Sequence, residues 1–173
     1  SVSNDSDLKW DYFLDGLKDG DNNIAALIRC NDMLRQTFAD SEHYQNYSVI
    51  MKNELIFRKS GMVVGDKFFY DNYCTYQNTD FETWRKQSFE SNTWQLFPLE
   101  EIDTGERTFQ AMTFSYPVRN YIQQEPEANA VVQFLLSKEN LEQMFGQLLS
   151  RQGGILIYGA EDRLLASLGK INA

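Results

Sequence analysis

The spacing of apolar residues changes near position 47 and divides the chain into two regimes. Before it, Leu8, Tyr12 and Leu17 fall loosely on one helical face. Ile24, Leu27, Ile28, Leu34 and Phe38 then recur close to the 3.6-residue period of an amphipathic helix. Residues 15–23, Asp-Gly-Leu-Lys-Asp-Gly-Asp-Asn-Asn, are rich in breakers and capping residues, so two helices with a bend are predicted. After it, Ser48–Lys52 and Leu55–Arg58 are short apolar runs around Asn53-Glu54, which is hairpin spacing. Residues 60–80 carry many aromatics without a clear period and read as irregular. Thr79 or Asp80 is placed to cap a helix entering at Phe81, with Glu82 in its first turn.

Trp94-Gln95-Leu96-Phe97 alternates as a strand does and is expected to end at Pro98. Residues 107–118 form a longer strand in which both alternating sets contain apolar members, so its inward face is left unassigned. Residues 130–136 are apolar almost throughout, the pattern of a central strand covered on both sides. Ser137 opens a helix carrying Leu141, Met144, Phe145, Leu148 and Leu149 at helical spacing. Gly154–Tyr158 and Arg163–Ser167, turned by Gly159–Asp162, predict a final hairpin. An antiparallel sheet segregated from its helices is an α+β domain.

Composition narrows the function. The chain has 173 residues, 42% of them hydrophobic, enough for a packed core. Sixteen basic against 25 acidic residues give a net charge of -9, which repels phosphate backbones and argues against nucleic-acid binding. No apolar run approaches the roughly 18 residues of a membrane span, and Ser1–Asp5 does not read as a signal peptide.

Candidate chemistry is sparse. His43, near the end of a predicted helix, is the only histidine, so a histidine-based catalytic triad has little support. Cys30 and Cys74 are the only cysteines. They form no zinc motif, and they read as buried free thiols or as a disulfide pair. Asp19, Asp21 and Asn23 imitate a calcium loop, but Ile24 and Cys30 stand where glycine and glutamate are required. Gly153-Gly154 precedes a strand and makes no phosphate cradle. Glu100-Glu101 with Asp103, and Glu161-Asp162, read as solvated loop charges. Neither an enzymatic activity nor a cofactor is expected.

The feature with a functional slant is aromatic. Tyr70, Tyr73, Tyr76, Trp84, Trp94, Phe97, Phe114 and Tyr116 gather around residues 60–92 and the strands that follow. Tyr and Trp offer both apolar surface and a polar handle, as small-molecule sites require. Arg85 and Arg119 are the cations placed to grip a carboxylate. The same rings also suit a filled sheet–helix core, and both readings stand.

Several of these segments, taken in order, look like one known arrangement. Ser48–Phe57, Phe69-Tyr70-Asp71-Asn72-Tyr73, Phe81–Arg85, Leu96-Phe97-Pro98, Thr113–Pro117, Ala130–Leu136 and Ser137–Leu149 together resemble the extracytoplasmic double-Cache sensor of membrane-bound AraC-type transcription regulators and related sensor kinases of Gram-positive bacteria. Ile155–Leu164 is similar to the hairpin opening the membrane-proximal half. In that family this turn usually carries Asp-x-x-Gly, whereas here it reads Glu161-Asp162-Arg163 with no glycine after it.

The resemblance implies a PAS-like Cache domain of the α+β class, with N-terminal helices followed by a mostly antiparallel five-stranded sheet. It divides the chain into a helical stalk (1–46), a membrane-distal sensor domain (47–150) and the first hairpin of a truncated membrane-proximal module (151–173). It implies a membrane-anchored parent protein with this portion on the extracytoplasmic face. There the portion would bind a small molecule and pass its state through helices to a cytoplasmic output domain, with a homodimer as a further expectation. The expected ligand-binding residues are Tyr70, Tyr73, Trp84, Arg85, Trp94, Phe114, Tyr116 and Arg119. The alternative is a PAS-like dimerisation or protein-interaction module with no small-molecule ligand.

Overall fold

The structure is a computed structural model and describes residues 32, 36, 46–91, 93–118, 128 and 130–170. Asp32 and Gln36 are helical and Asn46 leads into the first strand; the other residues of the expected stalk, with Cys30 and His43, and Arg119 lie outside the described residues.

The expected five-stranded PAS-like arrangement is overturned by the sheet itself. Seven strands pair in the order β3-β2-β1-β7-β6-β5-β4, every neighbour antiparallel. They are β1 (Tyr47–Met51), β2 (Leu55–Arg58), β3 (Gly61–Val64), β4 (Thr75–Tyr76), β5 (Gln95–Asp103), β6 (Thr108–Val118) and β7 (Ala130–Ser137). Two of them, β3 and β4, come from the stretch that reads as irregular. β3 is an edge strand whose Met62 and Val64 face solvent, so no inward alternation announces it. β4 is two residues long and pairs only with Ile102 and Asp103.

Between β3 and β5 stand two helices, α1 (Asp66–Tyr73) on either side of which β3 and β4 lie, and α2 (Phe81–Glu90). Asp80 caps α2 as expected, its carboxylate accepting the Thr83 amide at 2.8 Å. β5 does not stop at Pro98. It runs through the proline with a shift of register between Phe97 and Glu100. β4 meets β5 only at its far end, so Pro98 occupies a locally free edge where a missing N–H costs no ladder bond.

β7 is central, as its composition predicts, with β1 on one side and β6 on the other. Ser137 caps the next helix through the Asn140 amide at 3.1 Å. That helix is two, not one: α3 (Lys138–Met144) and α4 (Gly146–Gln152), separated at Phe145. β8 (Gly154–Tyr158) and β9 (Leu164–Gly169) then form the predicted hairpin.

Strand alternation gives the seven-stranded sheet two faces with different cover. On the first, Ile50, Ile56, Ile102 and Ala111 pack with Phe69, Tyr70, Cys74, Tyr76 and Trp84 from α1, β4 and α2. On the second, Tyr47, Val49, Met51, Phe57, Ala130 and Val132 make one cluster. Met112 joins Leu141, Leu165, Ala166 and Leu168 in another, so the β8–β9 hairpin closes over the β5–β6 end of that face. Each fully buried Ile, Val or Phe contributes about 1.5–3 kcal/mol relative to exposure.

Candidate ligand-binding site

A row of polar side chains crosses the first face in register. Arg58 stands opposite Ser48, Ser48 opposite Gln133, Gln133 opposite Ser115 and Ser115 opposite Gln95. Gln133 is the one polar residue within the run Ala130–Leu136. Although buried, it is hydrogen-bonded through both its oxygen and its nitrogen. Trp84 Nε1–H donates to its Oε1 at 3.3 Å, its Nε2 donates to Ser88 Oγ at 2.9 Å, and the Ser88 hydroxyl donates to the Trp84 carbonyl at 2.7 Å. The three groups form a closed ring between β7 and α2, which is how a polar amide is tolerated at 3% exposure.

Beside this ring opens a cleft of about 500 Å³. One wall is the entry to β1, Asn46–Ser48. Another is the end of β2 with its turn, Arg58–Ser60. The C-terminal end of α1 supplies Tyr73 and Cys74, the β5–β6 turn supplies Thr104, Glu106 and Arg107, and the floor is Gln133 and Leu135 of β7. The Arg58 guanidinium carbon lies 3.9 Å from the centre of the Tyr73 ring, and that of Arg107 lies 4.4 Å from the Phe109 ring. A volume of this size is within the range of small-molecule sites. A second hollow, of about 610 Å³, lies against Tyr70, Tyr76, the 77–80 loop and the first turn of α2 but opens more widely to solvent.

The expected ligand residues are divided between the two faces. Tyr70, Tyr73, Trp84 and Arg85 belong to α1 and α2 on the first face; Phe114 and Tyr116 point from the second, where Trp94 stacks on Phe114 at 6.0 Å. Tyr70 and Trp84 lie 5.5 Å apart between centroids and pack with Phe69 and Phe81. The Tyr70 hydroxyl donates to the Thr79 carbonyl. Arg85 pairs with the buried carboxylate of Asp66 and lies over the Phe89 ring, so it ties α2 to α1. Trp94 and Tyr116 are 58% and 47% exposed. Of the described members of the set, Tyr73 alone lines the 500 Å³ cleft.

Arg58, Arg107, Gln133, Ser48 and Thr104 are the cleft residues that sequence reasoning passes over. Gln133 had a signal, as a single amide in an apolar strand. Arg58 and Arg107 had none, because only the sheet register and the β5–β6 turn bring them to one recess.

The ionisable groups nearby behave as buried structure. Burial pushes the Cys74 thiol up to about 12, and it is a free cysteine. Burial likewise holds the Tyr76 phenol well above its ordinary value, against the opposing pull of its 2.9 Å hydrogen bond with Thr113. Neither is a nucleophile at neutral pH. Glu100, from one of the acidic pairs, binds the Asn78 amide at 2.8 Å and the Thr79 hydroxyl at 2.9 Å, and so clasps the loop before α2. Among the described residues no group of three or more His, Cys, Asp or Glu is placed to hold a metal ion. None of the described helices is long and apolar enough to cross a membrane.

Neither a scan against protein-family models nor a search of curated proteins finds a match to this chain.

Proposed function

We propose that this chain is the extracytoplasmic ligand-sensing part of a membrane-anchored signalling or transcription regulator, and that the 500 Å³ cleft is where its small molecule binds. The observation that carries the reading is the position of the cleft. It is walled by Asn46–Ser48, the point at which the N-terminal segment joins the sheet, and floored by Gln133, which is bonded to α2. A ligand there touches both the entry strand and the amide that ties β7 to α2. It changes output only by binding one packing of these parts more tightly than another.

The test is a thermal-shift titration against amino acids, organic acids, sugars, amines and purines. A saturable rise in melting temperature with one class, abolished by Tyr73→Ala and retained in Trp94→Ala, supports the reading. Absence of any rise across the classes removes it.

The second reading, a dimerisation or protein-interaction module, is favoured by Trp94 and Tyr116, large exposed rings on the face opposite the cleft. It predicts a concentration-dependent sedimentation coefficient that Trp94→Ala returns to the monomer value. A monomer at all concentrations, alone and with candidate partners, removes it.

A further inference from the structure

We propose that the cleft takes a small anion, a carboxylate- or phosphate-bearing molecule, held by the guanidinium groups of Arg58 and Arg107. This deepens the ligand-binding reading above and rests on it. The chain holds 25 acidic residues to 16 basic, yet the cleft wall reverses that balance, with Arg58, Lys59 and Arg107 against Glu106. Among the described residues none of these three cations forms a salt bridge. Both arginines are instead set against aromatic rings, Arg58 on Tyr73 and Arg107 on Phe109.

A ring holds a guanidinium in place through its face and leaves the N–H groups, which lie in the guanidinium plane, free for in-plane acceptors. A carboxylate partner would have occupied those groups. Two arginines fixed in this way and facing one recess are matched by a fork-shaped acceptor, and carboxylate and phosphate both have that geometry. Ser48, Thr104 and Gln133 add neutral hydrogen-bonding groups to the same recess. The overall negative field weakens long-range recruitment of an anion, so discrimination arises at contact, inside the cleft.

The experiment compares acids with their neutral counterparts on the whole chain: phenylacetate with phenylacetamide, succinate with succinamide, and inorganic phosphate and phenyl phosphate as separate arms. Affinity is read by calorimetry and location by amide chemical shifts at Ser48, Thr104 and Gln133. An acid is expected to bind about ten- to a hundredfold more tightly than its amide. R58Q and R107Q are each expected to remove most of that preference, and R58K to restore only part of it, since lysine keeps the charge but not the fork. K86Q, the same charge change at an exposed lysine of α2 that does not line the cleft, leaves it intact. Whichever arm shows the preference, carboxylate or phosphate, identifies the group. Equal binding of acid and amide with shifts at the cleft overturns the anion inference and leaves the cleft as a ligand site. No cleft shift with any probe overturns both.

Discussion

The indole N–H of Trp84 and the side-chain carbonyl of Gln133 meet 3.3 Å apart in the interior, joining the second helix of the crossover to the central strand. Gln133→Leu keeps the volume but leaves the indole N–H without an acceptor. The expected cost is about 1–3 kcal/mol, read as a lower urea midpoint with an unchanged slope. An unchanged midpoint would show that the bond contributes nothing net.

Arg85 neutralises Asp66, a carboxylate only 3% exposed. Burial raises the Asp66 pKa above 3.8, Arg85 pulls it down and Glu54 adds to the rise. Because the folded value is the higher one, the contribution of this group to stability is complete below 3.8 and is lost as pH rises through the folded pKa. Arg85→Met removes the opposing cation, so its cost should be about 3 kcal/mol at neutral pH and should shrink toward pH 4 as Asp66 protonates. Chemical denaturation at the two pH values measures the difference. A cost independent of pH would mean that the lost packing of Arg85 on Phe89 dominates.

Cys74 is expected to resist alkylation in the folded chain and to react on unfolding. Its thiol is pushed from 9.0 up to about 12, so stability attached to it is present below 9.0 and declines as pH climbs toward about 12. Cys74→Ala should flatten part of that alkaline decline. Rapid labelling of the native protein at pH 8 would contradict the buried placement.

Gly105, in the β5–β6 turn beside the cleft, has φ +75°, and a Cβ there would lie 2.3 Å from the Asn72 carbonyl oxygen. Backbone faces backbone, so neither side yields cheaply. Gly105→Ala should cost about 1–3 kcal/mol through the left-handed conformation and this contact together, read as a fall in melting temperature. A wild-type melting temperature would show that the turn can move away from α1.

The sequence was legible where a local pattern had a local cause. The Asp80 and Ser137 caps, the β1–β2 and β8–β9 hairpins and the central β7 all follow from capping chemistry, turn spacing or an unbroken apolar run. α1 escaped because its rings are consecutive: Phe69 is buried while Phe68 is 54% exposed, and its N-cap, Gly65, offers no side-chain bond. The break between α3 and α4 escaped because Phe145 and Leu149 keep helical spacing across it. The aromatic cluster escaped division because sequence order does not reveal face: Phe114 and Thr113 are neighbours, yet Thr113 bonds Tyr76 on one side while Phe114 stacks on Trp94 on the other. The charges of the cleft escaped most fully, since Arg58 and Arg107 become neighbours only through the order of the strands.

That order also sets a sequence of events. The central strand β7 pairs with β1, whose residues lie 79 (Met51 to Ala130) to 87 (Tyr47 to Phe134) positions earlier in the chain. During synthesis β1 and its hairpin partners are completed long before β7 exists to cover them. Until then β1 presents an apolar, unpaired edge, the kind that recruits other chains. Closure of that gap is a long-range step that slows folding. A chain halted after Val118 should therefore aggregate, and one carried through Gly169, with β7 and the β8–β9 hairpin both in place, should not.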